Sequence, residues 1–113
     1  MLKLLYKNSD FLFTGDIEEE SEKRILMWQD VLNCDVLKVA HHGSSTSTNL
    51  EFLKEVNPII AVISVGKNNY GHPSNKVLNK LKGKNIKIFR TDKNGTIIIG
   101  TNGNKYWVKT SRR

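Results

Sequence analysis

At 113 residues the chain has the length of one small domain, or of part of a larger one. Its 38% hydrophobic and 26% charged residues match a globular composition. No apolar run approaches the roughly 20 residues that span a bilayer, and the single cysteine, Cys34, excludes an internal disulfide and a cysteine-based zinc cluster. The net charge of +7 is uneven: residues 1–66 hold six Lys/Arg against ten acids, and residues 67–113 hold twelve against Asp92 alone. That asymmetry suits either a polyanionic partner or a solvated lysine-rich surface.

Leu2 to Tyr6 and Phe11 to Thr14 read as strands, joined through the polar turn Lys7-Asn8-Ser9-Asp10 into a hairpin. The opening apolar stretch is too short for a signal peptide. Past Asp16, the acids Glu18, Glu19, Glu20 and Glu22 suit the positive end of a helix dipole. Ile25, Trp28, Val31 and Leu32 then recur at helical spacing, predicting a helix that ends near Asn33. Cys34 is expected as a buried thiol. Val36 to Ala40 is a strand that delivers His41 and His42 into a loop. Thr48 and Glu51 have the spacing of a capping box for a short helix, closed by Pro58. Ile59 to Val65 is apolar enough to be buried on both faces.

After the loop Gly66 to Pro73, a helix is predicted over Ser74 to Leu81, with Gly83 as its C-terminal cap. Ile86 to Arg90 is a strand, Asp92 to Gly95 a turn, and Thr96 to Ile99 with Tyr106 to Lys109 a last pair of strands around Thr101 to Asn104. A frayed tail is expected over 111–113. The order of elements indicates a layered α/β domain over 1–110.

Chemistry concentrates in a few polar residues at strand ends. Asp16 follows a buried strand and a glycine, so it serves either as a helix N-cap or as a carboxylate projecting from the sheet edge. His41 and His42 close an apolar strand, and neutral imidazole is a common metal ligand. Strand geometry would send successive side chains to opposite faces, so the two need not meet one ion. Gly43 lets the chain turn, while Ser44 and Ser45 add hydroxyls and amides for a substrate. His72, between Gly71 and Pro73, is either a loop histidine or a third member of the site. No Gly-x-Ser-x-Gly, phosphate-loop lysine motif or Cys-His pairing is present.

These residues occur in a familiar order: Phe13-Thr14-Gly15-Asp16, Asp35 to Ser44, Ile63 to Gly66, Asn69 to Pro73, and Phe89-Arg90-Thr91-Asp92 with Gly95. The string resembles the C-terminal half of the metallo-β-lactamase-like domain of ComEC-type competence proteins, a DNA-internalisation family, from about residue 10 to residue 100. The resemblance implies a partial αββα sandwich, one αβ half with a mixed sheet and about three helices. It also implies a two-metal site of zinc or manganese, with Asp16 as the bridging carboxylate and His42 as a metal ligand. His41 then lies beside the metals or touches the substrate phosphate, and His72 lines the site as a proton donor or phosphate contact.

The chain departs from that family where it matters most. The motif His-x-His-x-Asp-His, or its variant His-x-Asp-x-Asp-His, is absent, and no histidine precedes His41. Asp16 and His42 alone do not hold two metals, so the chain is expected to be half of a site and inactive by itself. The function that follows is a phosphodiesterase or nuclease half-domain tied to DNA uptake. A non-catalytic nucleic-acid-binding or channel-associated domain, and a hydrolase of small phosphodiesters, are the alternatives. The expected partners are DNA or another phosphodiester polyanion, the missing N-terminal half-domain, a membrane channel in the parent protein, and a second copy through the uncovered sheet face. The domain itself is expected outside the cytoplasm, with its parent in the cell membrane.

Overall fold

A computed structural model describes residues 1–112; the side chains of Gln29 and Asp30, and all of Arg113, lie outside the described residues. The chain forms a mixed α/β fold. Its main sheet runs in the order β1 (Leu2–Tyr6), β2 (Ser9–Phe13), β3 (Val36–Lys38), β4 (Ile60–Ile63) and β5 (Lys87–Arg90). The first pair is antiparallel and the other three pairs are parallel. A second, two-stranded sheet pairs β6 (Ile97–Thr101) with β7 (Tyr106–Thr110).

Parallel neighbours need crossovers, and helices supply them. Helices α1 (Glu19–Ile25) and α2 (Gln29–Leu32) lie between β2 and β3, α3 (Leu50–Val56) between β3 and β4, and α4 (Asn75–Gly83) between β4 and β5. The register places Leu12, Leu37, Ala61 and Ile88 in one row across the sheet. Leu12, Leu37 and Ala61 join one apolar core with Leu32, Phe52, Leu53, Val56, Val77 and Leu81, and Ile88 packs against it. The alternate residues Phe11, Phe13, Val36 and Val62 instead line a hollow of about 260 Å³ with Ile97 and Ile99, beneath the β6–β7 hairpin. Among the described residues no helix is long and apolar enough to cross a membrane.

Several elements depart from the sequence expectation. The first helix is not continuous to Asn33: the chain tightens into a 3₁₀ turn at Leu26–Trp28 between α1 and α2. The helical period slips there, so Trp28 and Val31 are exposed and only Leu32 of the expected stripe is fully buried. Thr48 does not cap α3. Asn49 does, its side-chain oxygen accepting from the Phe52 amide at 2.9 Å. Gly83 remains inside α4, and Asn85 takes the left-handed conformation (φ 59°) beyond it. Asp92 belongs to a one-turn helix, α5 (Thr91–Asn94), ended by Gly95 at φ 70°. In the expected tail, the Ser111 and Arg112 amides donate to Thr96 and Asn94 carbonyls at 3.0 and 2.8 Å.

Candidate functional site

Parallel strands present their C-terminal ends along one edge, where loops carry polar side chains without disturbing the core. Here β2 ends into Thr14-Gly15-Asp16, β3 into the histidine doublet, β4 into the Gly66–Pro73 loop, and β5 into Thr91. Thr14 is buried and its hydroxyl donates to the Lys38 carbonyl, locking the end of β2 to β3. Gly15 turns at φ 62° and its carbonyl accepts the His41 amide at 2.9 Å. Asp16 is thereby left exposed beside the doublet's turn.

The doublet does not continue the strand. β3 stops at Lys38, and Ala40–Gly43 form a tight turn in which His41 (φ 51°, ψ 44°) and His42 (φ 53°, ψ 25°) both occupy the left-handed region. For residues with a Cβ this costs roughly 1–2 kcal/mol each, and strain of this kind clusters where function needs an unusual side-chain placement. Alternation to opposite faces is lost as a result: the His41 and His42 rings lie 6.5 Å apart, centroid to centroid.

His72 joins them. Gly43, at φ 82°, accepts the Ser74 amide on its carbonyl (2.9 Å), and a Cβ built on it would lie 2.6 Å from the Pro73 Cβ. That close approach seats the His72 ring 5.8 Å from His41. The loop carrying His72 is braced from within by Asn68. Its side-chain oxygen accepts the Tyr70 and His72 amides, and its amide nitrogen donates to the Gly66 and His72 carbonyls, all within 3.1 Å.

Each ring has its own polar surroundings. His42 donates from Nδ1 to the Ser64 carbonyl at 2.7 Å. A carbonyl only accepts, so the neutral ring presents the Nε2 lone pair outward, the arrangement that orients a metal-binding imidazole. His41 Nδ1 is buried without a hydrogen bond, 3.7 Å from a Glu18 carboxylate oxygen. Lys38 was not anticipated. It is the one cation in the apolar β3 run, and burial pushes its ammonium below the ordinary lysine range while the nearby Asp16 carboxylate acts against that shift. Ser44, expected to meet substrate, is buried with its hydroxyl on that of Thr46 (2.9 Å), whereas Ser45 is exposed.

The edge therefore gathers three imidazoles, with the Glu18 carboxylate 3.7 Å from His41 and Asp16 next to the Gly15 that bonds the His41 amide. His42 fits one metal ligand and Asp16 offers a second, yet among the described residues no group of three or more His, Cys, Asp or Glu is placed to hold an ion. Zinc alone takes four ligands, so the donors gathered here do not complete a metal site.

No protein-family model matches the chain. It is 48% identical over 88 residues to ComE operon protein 3 of Bacillus subtilis, covering 77% of this chain and 11% of that protein. It is 35% identical over 102 residues to competence protein ComA of Neisseria gonorrhoeae, covering 88% of this chain and 15% of that protein. Recombination protein 2 of Haemophilus influenzae is 41% identical over 76 residues, which is 66% of this chain and 9% of that protein. The chain thus spans between about a tenth and a seventh of the length of these relatives.

Proposed function

We propose that the chain is a segment of a ComEC-type competence protein, a placement that relatives named for competence and recombination support, and that it is one half of a metal-dependent phosphodiesterase domain acting on DNA during uptake. In this reading the αβ layer is half of a metallo-β-lactamase-like sandwich. The rest of the site, and a membrane-embedded channel, belong to other parts of the longer protein. The observation that supports the reading is the strained His41-His42 turn, whose two rings and that of His72 gather at the C-terminal edge of the parallel strands, with the His41 amide bonded to Gly15, the neighbour of Asp16.

Asp16 and His42 are the residues that would hold metal, zinc or manganese. A bound pair of ions supplies a hydroxide nucleophile and neutralises phosphoryl charge. This chain's own part is positional. The Ser64 carbonyl fixes the His42 ring, and Thr14 fixes the strand end that carries Asp16. His41 and His72, with rings in mutual contact distance, stand where a proton could be given to a departing oxygen. The exposed apolar residues of edge strand β1, Leu2, Leu4 and Leu5, are surface for the missing half or for a second copy.

Calorimetric titration of the 113-residue chain with Zn²⁺ or Mn²⁺ is expected to give weak binding that Asp16→Ala and His42→Ala weaken further, with little hydrolysis of DNA. A longer form of the protein that includes a His-x-His-x-Asp-His-type segment is expected to cleave DNA in a metal-dependent way and to lose at least 100-fold in rate on either substitution, taking about 3 kcal/mol of lost barrier reduction as a minimum. Tight binding of two ions by the short chain, unchanged by both substitutions, would overturn the reading.

A further inference from the structure

Strand β1 is one end of the main sheet, and its free edge lacks the usual safeguards. An edge strand is normally kept from pairing with another chain by a charge, a proline or a bulge. β1 reads Leu-Lys-Leu-Leu-Tyr, contains no proline, and pairs with β2 through unbroken partners from Leu2↔Phe13 to Tyr6↔Ser9. Its one charge is Lys3, and that ammonium is drawn under the sheet toward the helices. It donates to the Val31 and Asn33 carbonyls at 2.9 Å each and lies 3.6 Å from the Asp10 carboxylate.

The hairpin fixes which groups the edge offers. Tyr6 and Ser9 flank the two-residue turn Lys7-Asn8 and form its closing pair. Such a turn closes on a hydrogen-bonded pair, and bonded and non-bonded pairs alternate along antiparallel strands. Leu2, Leu4 and Tyr6 therefore direct their amides and carbonyls at β2, whereas Lys3 and Leu5 aim theirs outward. Both flanks of this edge are apolar and uncovered. Leu2 and Leu4 are exposed in the rows of Phe13 and Phe11, on the face of the hollow, and Leu5 is exposed on the helix face. The Lys3 bonds place the end of α2 beneath β1, and there Trp28 and Val31 are exposed as well. A partner that satisfies the edge and covers both flanks must itself bring a strand edge with a helix layer beneath it.

A second copy of the chain meets those demands in one register. Turned about a twofold axis at Leu4, β1 pairs antiparallel with itself: Leu4 faces Leu4, Leu2 faces Tyr6, and Lys3 faces Leu5. Every residue of the strand is paired, the outward groups of Lys3 meet those of Leu5, and no lysine opposes a lysine. An axis at Lys3 sets the two Lys3 side chains opposite each other, and an axis at Leu5 sets Lys3 against Lys7; like charges directly opposite are destabilising. Axes between residues aim outward groups at groups already bonded to β2.

We infer that the free edge of β1 is a homodimer interface, in which two copies pair antiparallel through Lys3 and Leu5 about a twofold axis at Leu4 and join their main sheets into one. Such an isologous contact is closed, so it stops at two copies. It uses neither metal nor the histidine edge, and it goes beyond the phosphodiesterase reading without depending on it.

The test is light scattering of the 113-residue chain over a range of concentrations, with amide hydrogen exchange followed on the same samples. The unaltered chain is expected to pass from monomer to dimer and no further. The Lys3 and Leu5 amides should gain protection in step with the dimer, while that of Leu4, bonded within the hairpin, changes little. Leu4→Lys sets two ammoniums opposite each other at the axis and is expected to weaken the dimer about tenfold or more. Leu4 is 52% exposed and Ile98 of β6 is 58% exposed, so Ile98→Lys is the matched control and should leave the dimer unchanged. A dimer in which Lys3 and Leu5 exchange freely would mean packing through the sheet face and would overturn the edge pairing. So would a dimer that Leu4→Lys leaves intact, or one that Ile98→Lys weakens equally. A chain monomeric at every concentration would overturn it too, leaving the edge to another strand of the longer protein.

Discussion

Gly43 shows how one residue assembles a site. Its positive φ permits the turn after two left-handed histidines, and its missing Cβ admits Pro73. A methyl group there would meet both the Cβ (2.6 Å) and the Cα (2.9 Å) of Pro73, and the Cα is backbone that cannot swing aside. Gly43→Ala is therefore expected to lower stability by about 2–5 kcal/mol, combining overpacking with a disfavoured φ, read as a lower urea midpoint at unchanged slope. The same substitution should separate His41 from His72, visible as loss of any nuclear Overhauser contact between their rings. A fall in stability with the ring contact intact would show that Gly43 serves only the backbone. The doublet's residue types were legible in the sequence, but its geometry was not. Strand alternation predicted opposite faces, and the left-handed pair cancelled that alternation.

At the scale of elements, a buried carboxylate decides how the first crossover meets the second. Glu22 is fully buried on α1 and accepts hydrogen bonds from the Thr48 and Asn49 amides and from the Asn49 side chain. Burial raises its pKa above the ordinary 4.5, while those same donors oppose the rise. Lys80 of α4 closes the arrangement by donating to the Thr48 carbonyl at 3.2 Å. In sequence Glu22 is the last of four acids and looks like a solvated helix start. Only packing shows that it points inward, where it holds the Thr48 and Asn49 amides just before α3, whose cap is the Asn49 side chain. Glu22→Ala would strand two backbone amides in the interior, so a loss of about 3–5 kcal/mol is expected by chemical denaturation. A loss below about 1 kcal/mol, the level of an exposed surface pair, would count against this bracing role.

Across the whole molecule, the β6–β7 hairpin is fastened at the sheet end opposite the histidines. Asp10 and Asp35 exchange hydrogen bonds, the Asp10 amide to Asp35 at 3.1 Å and the Asp35 amide to Asp10 at 3.0 Å. The Tyr106 hydroxyl of β7 donates to the same Asp35 carboxylate. At the hairpin tips, Ser9 meets Thr101 through their hydroxyls at 2.7 Å, and the Asn8 amide donates to Gly103. Burial and the neighbouring carboxylate push Asp10 up. Burial acts the same way on Asp35, but the Tyr106 hydroxyl and the bonds from Asp10 outweigh it and hold Asp35 below its ordinary 3.8. A depressed carboxylate stabilises the fold above its unfolded pKa, and that contribution is lost as pH falls through the folded value. Tyr106→Phe should thus cost about 1.5–3 kcal/mol near neutral pH, with the difference from the unaltered chain shrinking below about pH 4 as Asp35 protonates. Urea denaturation at both pH values checks it; no cost at either pH would leave Tyr106 only a packing role through its edge contact with Phe11.

The sequence by itself determined the order of strands and helices, the apolar rows of the sheet, the buried Cys34 and the polar residues worth attention, because these follow from local periodicity and residue chemistry. It also carried the fact that no histidine precedes His41, which is visible without coordinates. Tertiary structure decided which of those residues meet. His72 is thirty positions from His42 in the chain and reaches the doublet only through the Gly43–Pro73 contact, while Glu22, Lys38 and Asn68 gain their roles from neighbours distant in sequence or from a folded loop. The physical reason is one of range. Backbone preference and hydrophobic period act over a few residues, whereas burial, close approach and hydrogen-bond satisfaction depend on what the fold brings alongside.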